Sequence, residues 1–195
     1  MEYHEFLQAK AKAAAPVGFE PDPARYPART KPFQSSIIDW ACRRGRAALF
    51  EGTGLGKTLQ EMTWAQEVHH ETKRPVLALT PLAVAEQMVS EAEKFDIDGV
   101  AYAADQDEAR TPIVVTNYDR LHHFNPAAFG GVVLDESSIL KAEDGKTRGQ
   151  LMEFCEAILR IPVIVGTHST RWWAPIPRDR GRRIRPTSAW SQALV

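Results

Sequence analysis

The sequence predicts an α/β domain in three layers around a mostly parallel sheet, with irregular segments at both ends. Two observations carry this. Five short runs are apolar almost throughout: Arg46-Ala-Ala-Leu-Phe50, Pro75-Val-Leu-Ala-Leu-Thr80, Ile113-Val-Val-Thr116, Val132-Val-Leu134 and Pro162-Val-Ile-Val165. Between them, apolar residues recur at helical spacing. Strands without polar alternation are buried on both faces, and strands alternating with helices build parallel sheets covered on both sides.

The elements follow in order. Residues 1–32 read as an N-terminal extension: a short helix fits Tyr3 to Ala15, and then Pro16, Pro21, Pro23, Pro27 and Pro32 break any regular element. Phe33, Ile37, Trp40 and Ala41 share one face of a helix over Phe33 to Arg44. Leu59, Met62, Ala65 and Val68 form the next helical face, and Val84, Met88, Ala92 and Phe95 the one after. Asp96 to Arg110 reads as a polar connection. Leu151, Phe154, Cys155 and Ile158 complete the set, so the domain is expected over residues 33–167.

Between the first strand and its helix stands Glu51-Gly-Thr-Gly-Leu-Gly-Lys57-Thr58. In a strand–turn–helix setting, the backbone N–H groups of such a loop cradle phosphates. The lysine carries charge to the β and γ phosphates, and the threonine hydroxyl ligates Mg²⁺. Gly52, Thr53, Gly54, Leu55, Gly56, Lys57 and Thr58 are therefore the candidate nucleotide-binding residues. The full pattern has glycine where this chain has Glu51. The second half of such a site is Gly130-Gly-Val-Val-Leu-Asp135-Glu136-Ser-Ser138, an apolar strand delivering two adjacent carboxylates. Asp135 is the candidate Mg²⁺ acid and Glu136 the candidate general base, so Lys57, Asp135 and Glu136 are the expected catalytic group. In a parallel sheet, ligands bind beyond the carboxyl ends of the strands. Thr80, Thr116, Asp135 and Gly166 all fall there, on the same side as Lys57.

Taken in this order, the motifs resemble the first RecA-like domain of a superfamily 2 helicase or translocase, most like the Swi/Snf-type and phage DEAD/DEAH-box-like branches. Gly54-Leu-Gly-Lys-Thr58 matches the family's phosphate loop, and Asp135-Glu-Ser-Ser138 stands where the family has Asp-Glu-Ala-His or Asp-Glu-Ala-Asp. Ile139-Leu-Lys141 and Gly145-Lys-Thr-Arg148 look like the phage branch. The resemblance implies that Gln34 reads the adenine of ATP. It also implies that Thr80, Pro81 and Gln87, and then Thr116, Asn117 and Tyr118, meet a nucleic-acid backbone, with DNA favoured over RNA. ATP and Mg²⁺ are the implied cofactors. The implied function is the ATP-binding half of a nucleic-acid-dependent ATPase. It would be slow or inactive until a second RecA-like domain or subunit closes over the nucleotide. The rival reading is a non-enzymatic remnant that binds nucleic acid or a partner.

Composition excludes some classes. Lys and Arg number 24 against 25 Asp and Glu, so bulk charge supplies no attraction to nucleic acid. No apolar run approaches the length of a membrane span. Cys42 and Cys155, without CxxC spacing or a secretory leader, fit a reducing compartment: the cytoplasm of a bacterial or phage-infected cell. His69-His70 and His122-His123 are adjacent pairs whose side chains are expected to diverge, which disfavours a metal. After Val165-Gly-Thr167 the pattern stops. Residues 168–195 hold three of the five tryptophans and an arginine cluster, with no period of either kind. This stretch reads as a frameshift or truncation near residues 167–170. The alternative is a basic, aromatic tail that stacks on nucleic acid.

Overall fold

The computed structural model describes residues 16–52, 54–136, 146–158 and 163–167. Within Pro16–His168, which form one compact unit, six strands build a single sheet. They are β1 (Arg46–Phe50), β2 (Val76–Thr80), β3 (Val100–Tyr102), β4 (Ile113–Asn117), β5 (Gly131–Leu134) and β6 (Val163–Thr167). Their order across the sheet is β1-β6-β5-β2-β4-β3, and every neighbouring pair is parallel. The apolar runs explain the order: β2, β4 and β5 are buried at every residue and sit inside the sheet. β1 and β3 are partly exposed and form its edges.

Among the described residues, four helices accompany the sheet: α1 (Pro32–Arg44), α2 (Lys57–Thr72), α3 (Ala85–Lys94) and α4 (Lys146–Ala157). Right-handed crossovers decide their layers. From β1 to β2 and from β2 to β3 the chain moves one way across the sheet, which places α2 and α3 on one face. From β4 to β5 to β6 it moves back, which places α4 on the other. Met62, Ala65 and Val68 of α2 and Met88 and Ala92 of α3 fill the first interface. Leu151, Phe154 and Ile158 are buried in the second. Among the described residues, no helix is long and apolar enough to cross a membrane.

Two elements differ from the sequence expectation. The polar connection Asp96 to Arg110 contains β3, a three-residue edge strand hydrogen-bonded only to β4. Gly99 turns the chain into it at φ +73°, where an added Cβ would press on Pro112. Val100-Ala-Tyr102 is apolar, but three residues between Asp98 and Asp105 are too few to stand out from the polar stretch around them. Residues 16–31, expected within an extension, form a strap over α1 and α2. Val17, Gly18 and Phe19 donate their N–H groups to the carbonyls of Arg44, Arg43 and Cys42 at 3.3, 3.2 and 3.0 Å. This satisfies helix-end acceptors that have no partner within the helix. A Cβ at Gly18 would collide with the Cys42 carbonyl, so only glycine allows this approach. Further along, Arg25 grips the buried Glu67 of α2 through Nε at 2.8 Å and Nη2 at 2.6 Å. The Tyr26 hydroxyl donates to Asp39 at 2.7 Å.

Candidate functional site

Because all six strands are parallel, their carboxyl ends share one edge of the sheet. The loop 51–56 leaves β1 there, Pro81 leaves β2, Tyr118 leaves β4 and Asp135 leaves β5. β6 alone separates β1 from β5, which puts their ends about 10 Å apart. The glycine loop and the paired acids thus face each other across a gap of triphosphate size.

The loop is held by side-chain amides. Gly54 and Gly56 have φ of +81° and +78°, a region that favours glycine, and they turn the chain into α2. Gln34, buried on α1, accepts from the Lys31 N–H at 2.9 Å and donates from Nε2 to the Leu55 carbonyl at 2.8 Å. A Cβ on Gly56 would meet that amide at 2.5 Å. Gln60 donates to the Glu51 carboxylate at 2.8 Å. Lys57 donates from Nζ to the Glu51 carbonyl at 3.0 Å and to the Gly52 carbonyl at 3.4 Å. Glu51, standing where the full pattern has glycine, therefore turns its side chain toward α2 and offers its carbonyl to the lysine. Gly54 and Leu55 are exposed and Thr58 is half-buried, whereas Thr53 lies outside the described residues.

The acid side is held by buried hydroxyls. The Asp135 N–H donates to the Leu79 carbonyl at 2.9 Å. Its Oδ2 accepts from Thr80 Oγ1 at 3.3 Å, and its carbonyl accepts from the Tyr118 hydroxyl at 2.7 Å. Burial, and then the neighbouring Glu136 carboxylate, push the Asp135 carboxyl above its ordinary value. A cation between the two halves would reverse that effect. One hydroxyl (Thr58) and one carboxylate (Asp135) are hard oxygen donors, a set that suits Mg²⁺, which keeps several of its waters. When bound there, the cation would neutralise phosphate charge.

Glu61 escaped the sequence reading. One turn after Lys57 and on the same face of α2, it is fully buried. Neither of its oxygens has a hydrogen-bond partner among the described residues. Burial first, and then Asp135, hold its carboxyl well above the ordinary range. A charged residue in a helix normally faces solvent, so no sequence signal marked it.

The residues expected to meet a polymer separate into two sets. Thr80, Thr116, Asn117 and Tyr118 are buried. Thr80 and Tyr118 direct their hydroxyls at Asp135, and Asn117 accepts from the Asp119 N–H at 3.1 Å to cap the turn at 118–123. Pro81 is half-exposed, and Gln87 is exposed on α3, donating to Glu91 at 2.8 Å. The expectation that adjacent histidines diverge is corrected at one pair: the His122 and His123 rings lie with centroids 3.9 Å apart, brought together by the tight turn that carries them. Ser137, Ser138, the Ile139-Leu-Lys141 segment and the tail after Thr167 lie outside the described residues.

This geometry, a glycine loop and an acid pair on either side of an inserted strand in a parallel sheet, is that of an α/β fold of the RecA-like kind. The fold is shared with solved structures. The SWI2/SNF2 ATPase core of Sulfolobus solfataricus in complex with double-stranded DNA is 22% identical with a TM-score of 0.58, over 76% of this chain and 34% of that one. T4 UvsW is 15% identical with a TM-score of 0.61, over 87% of this chain and 35% of that one. The chain thus spans about a third of the length of these proteins. No protein-family model and no curated protein matches it.

Proposed function

We propose that this chain is the ATP-binding half of a nucleic-acid-dependent ATPase of the helicase and translocase kind, acting on DNA. The observation that carries this is the placement of Lys57 and the Asp135–Glu136 pair on either side of β6, at one edge of the sheet. In this reading Gly52, Thr53, Gly54, Leu55 and Gly56 wrap the phosphates, and Lys57 exchanges the Glu51 and Gly52 carbonyls for phosphate oxygens. Thr58 and Asp135 hold Mg²⁺, and Glu136 takes the proton of the attacking water. Gln34 braces the loop and, in the same reading, reads the base. DNA is favoured because the Sulfolobus SWI2/SNF2 core was solved with double-stranded DNA. A strand of DNA at this edge meets Pro81, Gln87 and the main chain before any of the four buried side chains.

Charge developing on the phosphates needs a cation from outside this domain. In comparable phosphoryl-transfer enzymes an arginine supplied in this way is worth roughly 10³–10⁵ in rate. The 195-residue chain is therefore expected to bind ATP and to hydrolyse it slowly. The test is ATP turnover by the purified chain with and without single- and double-stranded DNA, beside Lys57→Ala. Slow turnover that DNA raises and Lys57→Ala abolishes supports the reading. Turnover indifferent to both refutes it.

A further inference from the structure

The peptide between Asp135 and Glu136 is constrained on both sides. After it, Glu136 has φ of +50°, the left-handed region that residues with a side chain seldom adopt. Before it, the Asp135 carbonyl accepts a 2.7 Å bond from the Tyr118 hydroxyl, which reaches across from the end of β4. Tyr118 is itself fixed: it is only 4% exposed, and the Asn117 side chain caps the turn that Tyr118 begins. The hydroxyl therefore acts on the main chain that joins the two acids. Thr80 touches only the Asp135 carboxylate, at the longer distance of 3.3 Å.

We propose that Tyr118 is a positioning residue of the ATP site: by holding the Asp135 carbonyl, its hydroxyl keeps Glu136 in the left-handed conformation and aims both carboxylates at the gap facing Lys57. Without that bond the main chain between the acids loses one of its constraints, Glu136 can leave the left-handed region, and the aim of the two carboxylates is lost. Lys57 and the glycine loop are braced by Gln34, Glu51 and Gln60, whereas the Tyr118 hydroxyl donates to Asp135, so their grip on phosphate persists. The Mg²⁺-dependent part of nucleotide affinity is thus separable from the Mg²⁺-independent part. This inference rests on the ATP-site reading above.

The experiment measures ATP affinity of the full chain in Mg²⁺ and in EDTA for wild type, Tyr118→Phe and Tyr26→Phe. Tyr26 is a matched control, because its hydroxyl donates a 2.7 Å bond to Asp39 away from the acid pair. Wild type is expected to bind more tightly with Mg²⁺. Tyr118→Phe is expected to lose about 10-fold of affinity in Mg²⁺ and to match wild type in EDTA, in line with the usual effect of removing a group that orients a metal ligand. Tyr26→Phe should keep the full Mg²⁺ gain. The inference is overturned if Tyr118→Phe keeps that gain, or if it loses affinity equally in EDTA through general loosening. Wild-type protein that binds no ATP, or binding that survives Lys57→Ala, overturns the ATP-site reading itself and the inference with it.

Discussion

The two halves of the site are built to different rules. Around Lys57 the chain is shaped by glycines at positive φ and by long amide side chains, Gln34 and Gln60, reaching to loop carbonyls and to Glu51. Around Asp135 it is shaped by a main-chain bond and a hydroxyl from β2, which adjoins β5, and by the Tyr118 hydroxyl from the end of β4, one strand further on. The first half exposes Gly54 and Leu55 and contains bonds that a phosphate can replace one for one. The second follows β5 and meets the ends of β2 and β4, three strands buried at every residue. A loop that must open its lysine to a ligand needs exchangeable partners, whereas acids that must keep one aim need fixed ones.

Several substitutions would break or sharpen that contrast. In the proposed site Lys57→Ala removes the charged side chain that meets phosphate, and a charge-assisted hydrogen bond is worth roughly 1.5–3 kcal/mol. ATP affinity measured by calorimetry should fall about 10- to 100-fold with little change in thermal midpoint. Next in size, Gly56→Ala places a Cβ at φ +78° against the Gln34 amide. It should lower unfolding free energy in urea by about 1–3 kcal/mol and weaken ATP binding as well. Gln34→Ala deletes the bond to Leu55 that ties α1 to the loop and the bond from the Lys31 N–H that caps α1. It should destabilise the fold by about 1–2 kcal/mol and raise proteolytic cleavage within 51–56 more than elsewhere.

The smallest effect concerns Glu61. Its folded-state value lies above the ordinary 4.5, so the fold favours the protonated form. Its contribution to stability is fully present below about pH 4.5 and is lost as pH rises through the raised value. Glu61→Gln, neutral at every pH, should therefore raise the thermal midpoint at pH 8, and the gain should shrink toward pH 4.5. A gain that does not depend on pH would mean that Glu61 is not the titrating group.

The same contrast explains what was legible in the sequence. Five strands were plain because each is a run that cannot tolerate solvent. Lys57 and Asp135–Glu136 were plain because their chemistry demands adjacent residues after such a run. β3 escaped, since three half-exposed residues on an edge leave no pattern. The strap at residues 16–31 escaped because prolines announce irregular backbone without saying where it packs. Its anchors, Arg25 to Glu67 and Gly18 to Arg43, are long-range. The braces of the site escaped for a related reason: Thr80, Tyr118 and Asp135 lie far apart in the chain and meet only once β2, β4 and β5 are neighbours. Thr80 and Tyr118 were legible as strand-end polar residues, but their burial and inward direction were not.

The central claim is that the two halves form one nucleotide site. A double-mutant cycle measures it most directly: MgATP affinity of wild type, Lys57→Ala, Asp135→Asn and the double variant. A triphosphate that Lys57 touches directly and Asp135 touches through Mg²⁺ couples the two residues, so the account predicts a coupling energy of about 0.5–3 kcal/mol. Losses that simply add, or affinity that neither substitution alters, would show that the loop and the acid pair do not share a ligand.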